Sequence, residues 1–122
     1  MKQLLITIAA VLLVGCGPSA SERTLFKAAG RGNIKVAKQA IADGANVNTE
    51  FLGKTPLHSA SGGSHKQTIN QLIAKGADVN AEDDEGKTPL DVANIMRLTE
   101  IADLLRKHGS KTGEELKAAA GN

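Results

Sequence analysis

Apolar positions in the second half of the chain recur in a helical rhythm. Leu57 and Ala60 are followed by Ile69, Leu72 and Ile73; Leu90 and Ala93 are followed by Ile101, Leu104 and Leu105. Spacings of three and four place such residues on one side of a helix. Each set predicts two short helices, the first opened by Thr55-Pro56 or Thr88-Pro89. Threonine at an N-cap accepts from a first-turn amide, and proline at the first helical position has no hydrogen bond to lose. Gly76 and Gly109 follow the second helix of each pair and suit a left-handed exit. Val47 and Val79 begin extended segments, with Gly53 and Gly86 at the turns that follow. One such helix pair cannot bury its own apolar faces, whereas stacked neighbours can.

The pattern has a period. Gly53-Lys54-Thr55-Pro56-Leu57 returns as Gly86-Lys87-Thr88-Pro89-Leu90, and Gly76 returns as Gly109 at the same interval. Gly44-Ala45-Asn46-Val47-Asn48 is echoed by Gly76-Ala77-Asp78-Val79-Asn80 at an interval shorter by one. This period of about 33 residues, with Thr55-Pro56-Leu57-His58, resembles the ankyrin repeat. The resemblance covers residues 22–110 and implies an all-α solenoid with short β-hairpin loops. Its three repeats would span about 22–50, 51–83 and 84–110, leaving 111–122 as a tail or short capping helix that starts at Thr112 or Gly113. It also implies that Thr55, Pro56, Leu57 and His58, with Thr88, Pro89, Leu90 and Asp91, are structural positions. Inner helices and hairpin tips would then form a face that grips another protein.

The units depart from the pattern in places. The first has Thr24-Leu25-Phe26-Lys27-Ala28-Ala29 and lacks the Thr-Pro-Leu-His wording. Asp91 replaces the histidine in the third and reads as a capping-box variant. The glycine between helices, Gly32, becomes Ser64 and Arg97. A positive φ at those two positions would cost about 1 kcal/mol each. The first inter-repeat segment is one residue shorter than the second, which leaves its hairpin shape open.

The N-terminus reads differently. Lys2 precedes an apolar run, Leu4 to Val14, which ends in Leu13-Val14-Gly15-Cys16. A membrane-spanning helix needs about 20 residues, and this run is little more than half as long. The order of charge, short apolar run and small residue before cysteine resembles the signal peptide of bacterial lipoproteins. That resemblance implies a leader over 1–15, acylation of Cys16, and a tether over 16–21. It implies a lipid-anchored protein of the bacterial cell envelope. In a Gram-negative host, Gly17 in place of aspartate implies the outer membrane, facing the periplasm. Cys16 is the only cysteine, so the chain makes no internal disulfide and no cysteine metal site.

Composition adds limits. The chain has 122 residues, enough for one domain. Basic and acidic side chains number 15 and 13. A nucleic-acid-binding surface calls for a concentrated basic stripe, and Lys27, Lys35 and Lys38 read instead as a solvated helix face. Ser59 or Ser61 beside His58 is closeness in sequence rather than a catalytic pair. Asp83, Asp84 and Glu85 lack the spaced ligands of a calcium loop. No catalytic, cofactor or metal residue is expected. Two functional readings remain. One is a membrane-anchored module for an unidentified protein partner; the other is a structural or protective lipoprotein that supports another envelope component.

The candidate contact residues are Phe51, Leu52, Asp84 and Glu85. Counting back from Gly53 and Gly86 sets Phe51 and Leu52 opposite Asp84 and Glu85, on the projecting side of the hairpins. Phe26 and Phe51 are the only aromatics. Three readings of Phe51 stand: it folds back on the first repeat, it touches lipid headgroups, or it anchors a protein partner.

Overall fold

The computed structural model describes residues 17–121. Cys16 and the leader assigned to residues 1–15 lie outside the described residues. Three helix pairs follow one another: α1 (Ala20–Arg31) with α2 (Ile34–Ala42), α3 (Pro56–Gly62) with α4 (Lys66–Ala74), and α5 (Pro89–Ile95) with α6 (Thr99–Lys107). A last helix, α7 (Gly113–Ala120), follows. α3 packs between α1 and α5, while α2 packs on α4, so an inner and an outer layer form. The fold is an all-α stack. The loops expected as β-hairpins contain no strand among the described residues, only a single bridge between Phe51 and Lys54.

The core repeats with the chain. Leu25, Leu57 and Leu90 occupy one position in the three inner helices, and Ala28, Ala60 and Ala93 another; all six are buried. In the outer helices Ala37, Ile69 and Ala102 form one buried set, and Ala40, Leu72 and Leu105 the next. Leu72 matches Leu105, one full period on, whereas Ile73 and Leu104 are half-buried. Arg97-Leu98 keeps the junction of the third pair as long as Ser64-His65 keeps that of the second.

Local chemistry sets the helix ends. Ser19 caps α1: its hydroxyl accepts from the Glu22 amide at 3.1 Å, and a Glu22 carboxylate oxygen accepts from the Ser19 amide at 3.0 Å. The helix therefore begins at Ala20, and the tether expected to reach Ser21 is shortened to residues 17–19. The other Glu22 oxygen accepts from the Asn46 amide at 3.0 Å. The amides of Ser19 and Asn46 hold this carboxyl below its ordinary range.

The expected left-handed junctions are present, with φ of +73° at Gly32, +63° at Ser64 and +58° at Arg97. Arg97 is exposed, so a glycine there would lose no buried contact. Arg97→Gly should relieve about 1 kcal/mol of backbone strain, less what the freer unfolded chain takes back. Thermal unfolding should show a midpoint a few degrees higher, and a lower one would mean that the side chain contributes more than the strain.

Candidate functional site

The helix pairs are joined by polar side-chain links. His58 Nε2 lies 2.8 Å from the Lys87 carbonyl oxygen of the next unit. Its Nδ1 accepts from the Thr55 amide at 3.2 Å and lies 2.8 Å from the Thr55 hydroxyl. An amide N–H only donates, so Nδ1 carries the lone pair and Nε2 the proton. His58 is buried, and loss of water around the ring pushes its pKa down. Asn48 and Asn80 repeat a second link. The Asn48 side chain donates to the Gly76 carbonyl at 3.1 Å and accepts from the Asp78 amide at 2.7 Å. Asn80 likewise accepts from the Lys111 amide at 2.7 Å.

The two loop tips differ because one is a residue shorter. At the first, Phe51 N–H donates to the Lys54 carbonyl at 2.8 Å and Lys54 N–H donates back at 3.1 Å. Only Leu52 and Gly53 lie between, both at positive φ, +56° and +77°. Two such residues make the mirror-image turn that favours Asn or Gly. At the second tip, Asp83 N–H donates to the Lys87 carbonyl at 2.8 Å, enclosing three residues. One Asp83 carboxylate oxygen accepts from the Glu85 and Lys87 amides at 2.9 and 2.8 Å.

By hydrogen bonding, therefore, Phe51 corresponds to Asp83 and not to Asp84. It sits at the base of its loop. Its ring packs on Phe26 of α1, with centroids 5.2 Å apart and planes at 59°. The expectation that Phe51 projects with Leu52 is corrected: the missing residue draws it back onto the first unit. Leu52, 81% exposed, is left at the tip. Asp84 covers the same tip, since a Cβ added to Gly53 would overlap its carboxylate. Asp84 and Glu85 are exposed. The structure thus brings Leu52 and Asp84 together, with Glu85 in the adjoining loop, and removes Phe51.

A further apolar surface lies at the end of α5. Ile95 is 65% and Met96 54% exposed. Val92 and Met96 lie over Gly62 of the preceding inner helix, within van der Waals reach of a Cβ placed there. Sequence reasoning missed these two residues. The available signal was register, because Ile95 and Met96 fall where the earlier units have Gly30-Arg31 and Gly62-Gly63.

The pattern that defines ankyrin repeats in three copies matches residues 7–83 and 25–115. The chain belongs to the ankyrin-repeat family. No curated protein matches it. In this ankyrin stack Thr55 and Thr88 cap their helices, Pro56 and Pro89 open them, and Leu57 and Leu90 are core. Asp91 serves the last unit: one carboxylate oxygen accepts from Thr88 N–H at 3.0 Å and from Gly113 N–H at 2.8 Å. Both His58 ring nitrogens are engaged within the stack, so the ring is not free to act as a base toward Ser59 or Ser61. Among the described residues no three His, Cys, Asp or Glu side chains are grouped to hold a metal ion. Nor is any described helix long and apolar enough to cross a membrane. Ankyrin repeats generally mediate protein–protein contacts, and this fold is consistent with such a module.

Proposed function

We propose that this ankyrin chain is a lipid-anchored module of the bacterial cell envelope that holds a protein partner at its loop tips and inner helices. Leu52 carries the binding reading. It stands 81% exposed with φ of +56°, a conformation that costs a leucine about 1–2 kcal/mol. Folding alone favours Asn or Gly in such a turn. A strained apolar side chain held out in water marks a contact surface. Ile95 and Met96 form a separate exposed apolar pair at the end of α5, and Asp84 and Glu85 give the tips a negative rim.

The anchor is supported by the sequence of Lys2, short apolar run and small residue that leads to Cys16, and by the closeness of the first helix, which begins at Ala20. In a Gram-negative host, Gly17 favours the outer membrane, with the stack in the periplasm.

One preparation tests both halves. Protein extracted in detergent from its bacterial host should have the intact mass of an acylated chain beginning at Cys16. An unmodified chain beginning at Met1 overturns the anchor. Cross-linked complexes formed in the envelope should then be compared for the parent, Leu52→Ser and Phe51→Ser. Leu52→Ser should weaken capture of the same protein roughly tenfold without lowering the melting temperature. Phe51→Ser should lower that temperature, because it opens the contact with Phe26. Undiminished capture by Leu52→Ser overturns the tip as a binding site. Recovery of an envelope polymer in place of a protein would move the reading to structural support.

A further inference from the structure

The near balance of charge conceals an uneven distribution. From Ala20 to Ala42 the chain carries five basic side chains and one acidic; from residue 43 to 121 it carries nine basic and twelve acidic. Arg23, Lys27 and Arg31 are spaced by four along α1, and all three are exposed. At 3.6 residues per turn they fall within an arc of about 80° and over a length of about 12 Å. Leu25, Ala28 and Ala29 fill the opposite, buried side. Lys35 and Lys38 on α2 are exposed in the same unit. The one acidic residue, Glu22, is occupied by the amides of Ser19 and Asn46. The salt bridges among the described residues, Lys66 with Glu100 and Arg106 with Glu115, involve none of the five basic groups. Lys27, Lys35 and Lys38 are exposed as a solvated face should be, and Lys27 also stands in line with Arg23 and Arg31.

That line begins at the tether. The Arg23 guanidinium donates to the Pro18 carbonyl at 2.7 Å. Only residues 17–19 separate Cys16 from α1, and three extended residues reach at most about 11 Å. The Debye length at physiological salt is about 8 Å. An acyl group on Cys16 would hold the Arg23 end of the stripe close to the lipid headgroups.

We propose that Arg23, Lys27 and Arg31 dock the first repeat on an anionic phospholipid surface. This rests on acylation of Cys16, which supplies the proximity. A bilayer is favoured over an acidic protein because the tether presents the stripe to the headgroups first. The remainder of the stack, richer in acid and carrying Asp83, Asp84 and Glu85 at one tip, is repelled by the same surface. Attraction at one end and repulsion from the rest orient the scaffold, leaving Leu52, Ile95 and Met96 clear of the membrane for a partner.

The test uses the acylated protein reconstituted into vesicles, of phosphatidylcholine alone or with about 30% phosphatidylglycerol. Lysine acetylation is followed residue by residue. Lys27 should label roughly fivefold more slowly on the anionic vesicles than on the neutral ones, since each basic group near such a surface is held appreciably. Lys75 and Lys117 should label equally on both. The protection should vanish at about 1 M salt, where the Debye length is about 3 Å. Arg23→Gln with Arg31→Gln should abolish most of it while the protein still floats with vesicles. Arg23→Lys with Arg31→Lys should retain it, which separates charge from any loss of fold. An acylated protein whose Lys27 labels equally on both vesicles overturns the stripe and leaves the anchor standing. Absence of acyl mass overturns the anchor, and the stripe proposal falls with it. Protection that grows with protein concentration without vesicles would mean contact between copies, and would also overturn the proposal.

Discussion

Leu57→Ala should destabilise the stack by about 2–5 kcal/mol, the usual range for emptying a buried leucine site. Leu57 is 1% exposed. It lies on α3, the inner helix that touches α1, α4 and α5. In a repeat stack each unit is held chiefly by its neighbours. A defect in the middle unit therefore weakens two interfaces at once. Against a total stability of about 5–15 kcal/mol, this loss leaves a marginal protein. Urea unfolding should show a much lower midpoint, and Leu104→Ala, at a half-buried site on α6, should cost clearly less. Similar losses for the two variants would mean that the middle unit is not the keystone.

Acidification should weaken the stack through His58. In the fold, Nδ1 accepts from Thr55 N–H, and a proton on that nitrogen would set donor against donor. Burial lowers the pKa, opposed by the hydrogen bond to Lys87 and by nearby Asp83 and Asp91. The folded value thus lies below that of the unfolded chain, about 6.5. In that interval the unfolded state binds more protons, so stability rises with pH. The His58 contribution is full above about 6.5 and fades as pH falls toward the folded value. Glu22, Glu100 and Glu115 are also depressed, by amides or a basic partner. Their contributions fade only in more acid solution, which leaves the histidine window separate. His58→Gln should cost about 1–3 kcal/mol at neutral pH by leaving buried groups without good partners. It should also flatten the dependence of the urea midpoint on pH through that window. An unchanged slope in the variant would assign the effect to another group.

The helix pairs were legible because Thr55-Pro56 and Thr88-Pro89 state their own starts, and the leucines that follow state the buried side. Ser64 and Arg97 were legible as left-handed positions because Gly32 occupies the same place in the first unit. The tip was not. Counting from Gly53 equates Phe51 with Asp84, whereas the backbone pairs Phe51 as it pairs Asp83; a single missing residue moves a side chain from tip to base. Polar core positions also escaped notice. Ser61 and Thr68 are buried without a hydrogen-bond partner for their hydroxyls, and Thr68 stands where the third unit has Ile101. The line of Arg23, Lys27 and Arg31 was present as a spacing of four, but a nearly balanced total charge hid it.

The carboxyl-terminal residues occupy the site where another unit would add. The Thr88 hydroxyl donates to the Lys111 carbonyl at 2.6 Å, and the Ser110 hydroxyl donates to the Val79 carbonyl at 2.7 Å. Gly113 lies so close to the Gly86 carbonyl that a Cβ there would overlap it. Asn80 and Asp91, which would otherwise reach toward a following unit, are saturated by Lys111 and Gly113. In polymer terms these residues occupy the open end of the third unit and satisfy its exposed polar groups. Head-to-tail addition of another copy at this end would first have to displace those contacts.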